Sequence, residues 1–137
     1  MAEAAMRPHA RAPLPAPGED WREWFVENTR SFRRTLLARR DGARLHAGSM
    51  PQGDDFERGV RKLAFLVDSG LPEAEAAAAM LASGRFTIGS VLEEQNEADR
   101  ASTDTSALGS IPHAEAFEAG LLLILRGMEQ CIPRPCR

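Results

Sequence analysis

The sequence predicts an all-α protein built as a bundle of four long helices plus one short helical turn. Apolar residues recur at helical spacing in four separate segments of the chain. Residues that favour helix starts, such as Asp20 and Pro72, stand at the edges of these segments. A length of 137 residues fits one domain. We therefore expect an Ala- and Pro-rich lead-in over residues 1–20, a helical domain over 21–130 and a tail over 131–137.

The first long helix is expected to carry one wall of a ligand pocket. It begins at Asp20, a good N-cap, and runs to about Arg39. Its apolar stripe consists of Trp21, Trp24, Phe25, Phe32 and Leu36. Asn28 lies on the same stripe, where a carboxamide is costly to bury unless something hydrogen-bonds it. A turn at Asp41-Gly42 then leads through a short helical turn to the remaining polar groups. The predicted wall combines Asn28, Phe32, His46 and Ser49.

The second long helix is predicted from Asp54 or Asp55 to a stop at Ser69-Gly70. The spacing indicates a core stripe made of Phe56, Val60, Leu63, Ala64 and Val67. Lys62 lies well off that stripe, so the pattern predicts that its side chain faces solvent.

The third long helix is predicted from Pro72 to about Asn96. Its first half is small or apolar all the way round, which indicates burial on more than one side. Gly84 and Gly89 lie in its interior and suggest close approach of another backbone. Taken alone, Arg85 and Glu93 are predicted to occupy solvated positions.

The fourth long helix is predicted to follow Pro112 and to end near Gln130, after a polar linker over 97–111. Besides its main stripe, Leu122 and Leu123 make a second side apolar. Such a helix needs a second covering surface, and the simplest one is another copy of the chain. We expect a homodimer in which the third and fourth helices of two subunits form a four-helix bundle. The alternative is that both sides are covered within the monomer.

Composition excludes several classes of function. A formal net charge of −3 argues against a dedicated nucleic-acid binder. The arginine cluster near the end of the first helix is interpreted as a solvated face, with a phosphate site as the alternative. Cys131 and Cys136 alone are no zinc site. No apolar run could span a membrane and no signal peptide is visible, so we expect a cytoplasmic protein.

No enzymatic motif is present in the sequence. A pairing of His46 with Glu93 could transfer a proton, but nothing supplies an activated nucleophile or an oxyanion hole. We therefore expect that the protein is not an enzyme.

Four stretches give the chain a close resemblance to the regulatory domain of the tetracycline repressor (TetR) family. They are LPAPGEDW, ENTRSFRRTLLARRDGARLHAGS, FTIGSVLEEQ and AFEAGLLLILRGME. Together they cover nearly the whole chain after Leu14, and such a long ordered match is more specific than any short motif. In this branch of the family the drug binds as a magnesium chelate, so the resemblance implies magnesium as part of a chelated ligand and no other cofactor.

Carried over one residue at a time, the resemblance assigns roles to the pocket residues. It implies that Asn28 contacts the polar edge of the drug and Phe32 its ring. His46 matches the imidazole that binds the metal directly. Ser49 stands where the family has a water-binding threonine. Glu93 matches the carboxylate that reaches the metal's water shell from the other subunit.

The chain departs from the family pattern at three pocket positions. The family's N-terminal pocket histidine falls on Ala10, beside His9, while a pocket glutamine falls on Lys62 and a second pocket histidine on Arg85. Two new cations would suit a more anionic ligand than tetracycline if Lys62 and Arg85 face inward. The family also has a helix that closes the pocket from the partner subunit, and residues 97–111 are too short and polar to supply it.

The resemblance implies the effector-sensing and dimerisation domain of a TetR-type transcriptional repressor, which a small-molecule inducer releases from DNA. In the family, a three-helix DNA reader precedes this domain. We expect this chain to begin after that reader and to contact DNA only through a helix-turn-helix that it lacks. The alternative is a headless subunit that pairs with an intact repressor and blocks its DNA binding.

Overall fold

The computed structural model describes residues 14–47, 53–98 and 111–136. These residues form five helices, which are α1 (Trp21–Leu37), α2 (Gly42–Ala47), α3 (Asp54–Asp68), α4 (Glu73–Ala98) and α5 (His113–Cys131). The described part of the chain contains no strand, so the all-α prediction is confirmed. The four long helices begin and end close to the predicted positions.

Local signals in the sequence set the helix ends. The Asp20 carboxylate accepts a hydrogen bond from the Arg22 backbone N–H at 2.9 Å and caps α1. Gly70 ends α3 with a φ of +112°, a left-handed conformation that glycine adopts without a Cβ penalty. The next N–H, that of Leu71, donates to the Leu66 carbonyl at 3.2 Å and closes the end of the helix.

The order of contacts along α1 fixes the arrangement of the bundle. The aromatic residues at the start of α1 pack with the start of α4, and Phe32 and Leu36 near its end pack with Val91. Helices α1 and α4 therefore run in the same direction. Helix α5 runs opposite to both, because Arg22 contacts Glu129 near its end and Arg30 contacts Glu118 near its start. The Arg30 guanidinium donates to Glu118 in a fork and lowers the pKa of that carboxyl.

The predicted core stripe of α3 is only partly correct, because Phe56, Val60 and Ala64 do not lie in the core. Phe56 and Val60 are 61% and 50% exposed, whereas Leu66 is fully buried and Lys62 is only 7% exposed. Leu63 and Val67 are half-buried against the core. The apolar spacing predicted the helix correctly. The docking of its end against Trp24 and α4, however, places Leu66 and Lys62, rather than Phe56 and Val60, on the side that faces the bundle.

Helices α4 and α5 meet closely at a stack of two aromatic rings. Phe86 and Phe117 lie parallel with ring centroids 5.4 Å apart. Gly120 sits over Phe86, and a Cβ at this position would lie 2.5 Å from the Phe86 Cζ atom. The expected close approach at Gly84 and Gly89 is not seen within this chain, because a Cβ at either would meet no atom within 4 Å.

We predict that Gly120→Ala destabilises the protein by about 1–3 kcal/mol, because the new methyl group must displace the stacked Phe86 ring. The matched control is Gly59→Ala in the interior of α3, where a Cβ has open space around it. The control should gain up to about 1 kcal/mol from helix propensity alone. Urea unfolding followed by circular dichroism measures both changes. Equal stabilisation by the two substitutions would show that the aromatic stack leaves room for a side chain.

Candidate functional site

The inner stripe of α1 carries the first two predicted site residues. Asn28 and Phe32 are one helical turn apart and therefore lie on the same face. Phe32 is buried and Asn28 is half-buried. A carboxamide thus stands beside an aromatic ring at the edge of the core.

A tight turn places α2 against the end of α1. The Gln95 carboxamide of α4 donates to the carbonyl oxygens of Leu36 at 3.4 Å and Arg39 at 2.7 Å, so the end of α1 is tied to α4. Gly42 begins α2 where a Cβ would collide with the Leu36 carbonyl. Only glycine lets the chain turn back this closely.

This turn brings His46 onto Phe32. The two rings meet edge to face, with centroids 5.0 Å apart and an interplanar angle of 73°. Burial lowers the pKa of His46, so its imidazole is neutral at pH 7. A neutral imidazole is the form that binds a metal ion. In the described ranges no group of three or more His, Cys, Asp or Glu side chains could hold a metal.

Lys62 is the only lysine among the 17 lysine and arginine residues of the sequence. The pattern-based prediction that it faces solvent is wrong, because it lies on the inner face of α3. Burial, together with a smaller contribution from the charge of Arg58 one turn earlier, lowers its pKa to about 8 against the opposing effect of Asp55. An isolated charge is expensive to bury, so this position is unusual for a merely structural lysine.

The remaining predicted site residues lie elsewhere. Arg85 and Glu93 are exposed and lie two turns apart on α4, so within one chain they do not join the group around Phe32. Their roles in a site shared with a second subunit stay predictions. Ser49, Ala10 and most of the 97–111 linker lie outside the described residues.

Part of the arginine cluster on α1 has a structural role that the sequence interpretation missed. The Arg33 guanidinium donates to Glu94 of α4 at 2.7 Å and lies 5.1 Å from the centre of the Phe117 ring. Arg34 pairs with Glu27 on its own helix. These contacts support ion pairing rather than a phosphate site. The seven-residue spacing of Glu27 and Arg34 was a usable signal, whereas the contact with Glu94 depends on the tertiary fold.

Comparison with known proteins assigns the chain to a family. The model of the tetracyclin repressor-like C-terminal domain matches residues 14–107. The class C tetracycline repressor of Escherichia coli is 39% identical over 150 residues, covering 95% of this chain and 68% of the relative. The chain belongs to the tetracycline-repressor family. It corresponds to the C-terminal, ligand-binding part of these proteins.

Solved structures of TetR proteins agree with this assignment. A TetR-family transcriptional regulator from Streptomyces coelicolor shares 61% identity, with 95% of this chain and 69% of that chain covered and a TM-score of 0.68. The class A TetR in complex with 5a,6-anhydrotetracycline and magnesium is 35% identical, with 95% and 72% covered and a TM-score of 0.82. The resemblance found in the sequence is thereby confirmed.

Three further observations complete the description of this TetR domain. No described helix has the length and apolarity that crossing a bilayer requires. Its curated relatives carry the names of repressors rather than of enzymes. Cys131 and Cys136 carry free thiols.

We predict that Lys62→Met stabilises the protein at pH 7 by up to about 3 kcal/mol, because the unfolded chain accommodates the charge better than the folded one. The pKa of Lys62 is about 8 when folded and near the ordinary 10.5 when unfolded. Between these values the unfolded chain binds more protons, so wild-type stability should rise with pH across this window.

Urea unfolding at pH 7 and at about pH 9.5 measures both effects, and the rise with pH should vanish in the variant. Arg61, the exposed residue just before Lys62, provides the control. Arg61→Met should change the free energy of unfolding by less than about 0.5 kcal/mol. A Lys62→Met protein as stable as the wild type at both pH values would show that the amine is well solvated.

Proposed function

We propose that the chain is the effector-sensing and dimerisation domain of a TetR-type transcriptional repressor. The observation that carries this proposal is the contact of Phe32 with His46, one turn from Asn28, at the positions that the resemblance assigns to the drug and its metal. The effector is a small molecule, tetracycline-like or more anionic. We further propose that the domain acts without catalysis, resides in the cytoplasm and contacts DNA only through a helix-turn-helix domain that the described helices do not include.

The proposed ligand enters the pocket with magnesium. The His46 imidazole would hold the ion directly, while Ser49 and a partner subunit's copy of Glu93 would act through water. The complexes that support this idea are those of relatives, such as the class A repressor with 5a,6-anhydrotetracycline and magnesium. An effector changes the domain only if it binds one arrangement of the helices more tightly than another. Helix α2 is suited to transmit such a change, because it carries His46 and packs on both α1 and α4.

The dimer is supported by apolar side chains that one chain leaves exposed. Leu81 on α4 is 57% exposed and Leu123 on α5 is 68% exposed, and Leu122 beside it lines a hollow of about 300 Å³ with Val26. Exposed apolar surface of this kind marks an interaction site. A second copy that covers these residues would pair α4 and α5 in a four-helix bundle. Pairing with an intact repressor would use the same surface and stays an alternative prediction.

The ligand pocket is tested by titrating magnesium–tetracycline and a panel of anionic aromatic compounds while recording the fluorescence of Trp21 and Trp24. We expect saturable quenching by at least one compound. Asn28→Ala and His46→Ala should each weaken its binding about tenfold or more, because each removes a polar partner in a desolvated site. The control is His113→Ala, whose imidazole contacts Glu97 of α4. A folded wild type that responds to no compound would contradict the proposal.

The dimer surface is tested by Leu123→Glu, which places a charge on the exposed apolar side of α5. We expect the wild type to have the mass of a dimer in light scattering coupled to size exclusion, and the variant to have the mass of a monomer. Phe56→Glu is the matched control, because Phe56 is as exposed as Leu123 but lies on α3. A monomeric wild type, or a variant that stays dimeric, would show that this face is not the interface.

A further inference from the structure

In the first three turns of α3, three charged residues are partly or fully buried while two large apolar residues are exposed. Asp55, Arg58 and Lys62 are partly or fully buried, and they continue along one face to the buried Leu66. Phe56 and Val60 point away from the bundle. A helix that turns its charges inward and its apolar residues outward loses stability, so the inner charges need a reason beyond packing.

The course of the chain places Lys62 opposite the wall formed by α1 and α2. The end of α3 packs at the start of α1, where the Trp24 and Phe65 rings meet edge to face at 5.2 Å. The beginning of α3 is separated by only six residues from α2, which packs at the end of α1. Helix α3 therefore runs back along α1. Lys62 lies one turn before Phe65 in α3, and Asn28 lies one turn after Trp24 in α1. Because the two helices run in opposite directions, Lys62 and Asn28 lie at a similar height along the helix axes.

Helix α3 packs mainly on α4, and its ring contact with α1 is that of Phe65 with Trp24. On the side of this contact that leads toward the beginning of α3, Lys62 follows on α3, and Asn28 and Phe32 follow on α1.

The Lys62 ammonium forms no ion pair or hydrogen bond with any residue in the part of the chain that the structure describes. More than nine-tenths of the residue is buried. A buried cation without an anion is destabilising, and the same cation becomes favourable once an anion binds beside it. On the same face, the positive charge of Arg58 adds to that of Lys62, and the negative charge of Asp55 acts in the opposite direction.

We propose that Lys62, assisted by Arg58, is the binding site for a carboxylate of the effector, whose planar ring lies against Phe32 and His46. This inference rests on the proposed effector pocket and names the chemical class of its ligand. The protein would then respond to anionic aromatic compounds and discriminate against their neutral counterparts. Lysine is suited to this role because its ammonium is a compact charge on a flexible stem.

The test compares two probes of nearly the same shape, 2-naphthoate and the neutral 2-naphthamide, by titration calorimetry at pH 7. Wild-type protein should bind naphthoate at least about tenfold more tightly than naphthamide. Lys62→Gln should abolish this preference by weakening naphthoate alone, and Arg58→Gln should reduce it partly. Arg61→Gln, which removes an exposed charge from the same helix, is the matched control and should leave both affinities unchanged.

Removal of a buried charge should not prevent folding, and circular dichroism of each variant checks this. Equal wild-type affinity for both probes, or a preference that survives Lys62→Gln, would overturn the carboxylate site. His46→Ala separates this failure from failure of the pocket itself, because it should weaken both probes together. If the wild type binds magnesium–tetracycline but does not prefer naphthoate, the effector pocket stands and the carboxylate site is wrong. A folded wild type that binds none of these compounds would overturn both.

Discussion

The hydrogen bonds from the Gln95 carboxamide to the end of α1 are the constraint on which the candidate site depends. They hold the carbonyls of Leu36 and Arg39 on α4, and so fix the point at which the chain turns into α2. Gly42 lets that turn close against the Leu36 carbonyl. With α2 held there, the His46 ring reaches Phe32, so this part of the proposed pocket wall is formed without a ligand. Such preorganisation lowers the entropic cost of binding.

The second feature of the candidate site is the positive charge of Lys62, which is disfavoured by burial. Most of the bundle follows ordinary physical rules, with aromatic residues of α1 in the core and arginines of α1 paired with glutamates of α4 and α5. Lys62 does not follow them, because it is buried and its pKa is lowered by burial. Residues that reduce stability in this way are concentrated at functional sites. The stability lost at Lys62 and the affinity proposed for a carboxylate are two results of the same desolvation.

The sequence was sufficient for the helices and for much of the site, but not for the orientation of α3. Capping residues and glycine stops are local signals, so Asp20 and Gly70 marked helix ends correctly. The turn after α1 is also local, which is why Phe32 and His46 could be expected to meet. Which face of α3 points inward depends on tertiary docking at Trp24, and periodicity alone placed Lys62 on the wrong side. The close approach at Gly120 was missed because it arises only when α5 meets Phe86.

The central claim is that one ligand contacts both Lys62 of α3 and the ring pair of Phe32 and His46. Because Lys62 is the only lysine, reductive methylation with ¹³C-formaldehyde marks its side chain and otherwise only the chain's terminal amine. Nuclear Overhauser effects from bound 2-naphthoate can then be recorded to the ¹³C-methyl groups of Lys62 and to the rings of Phe32 and His46. The account predicts contacts from a single naphthoate to the Lys62 methyl groups and to at least one of the two rings. Contacts to Lys62 alone, to the rings alone, or to neither, would contradict it.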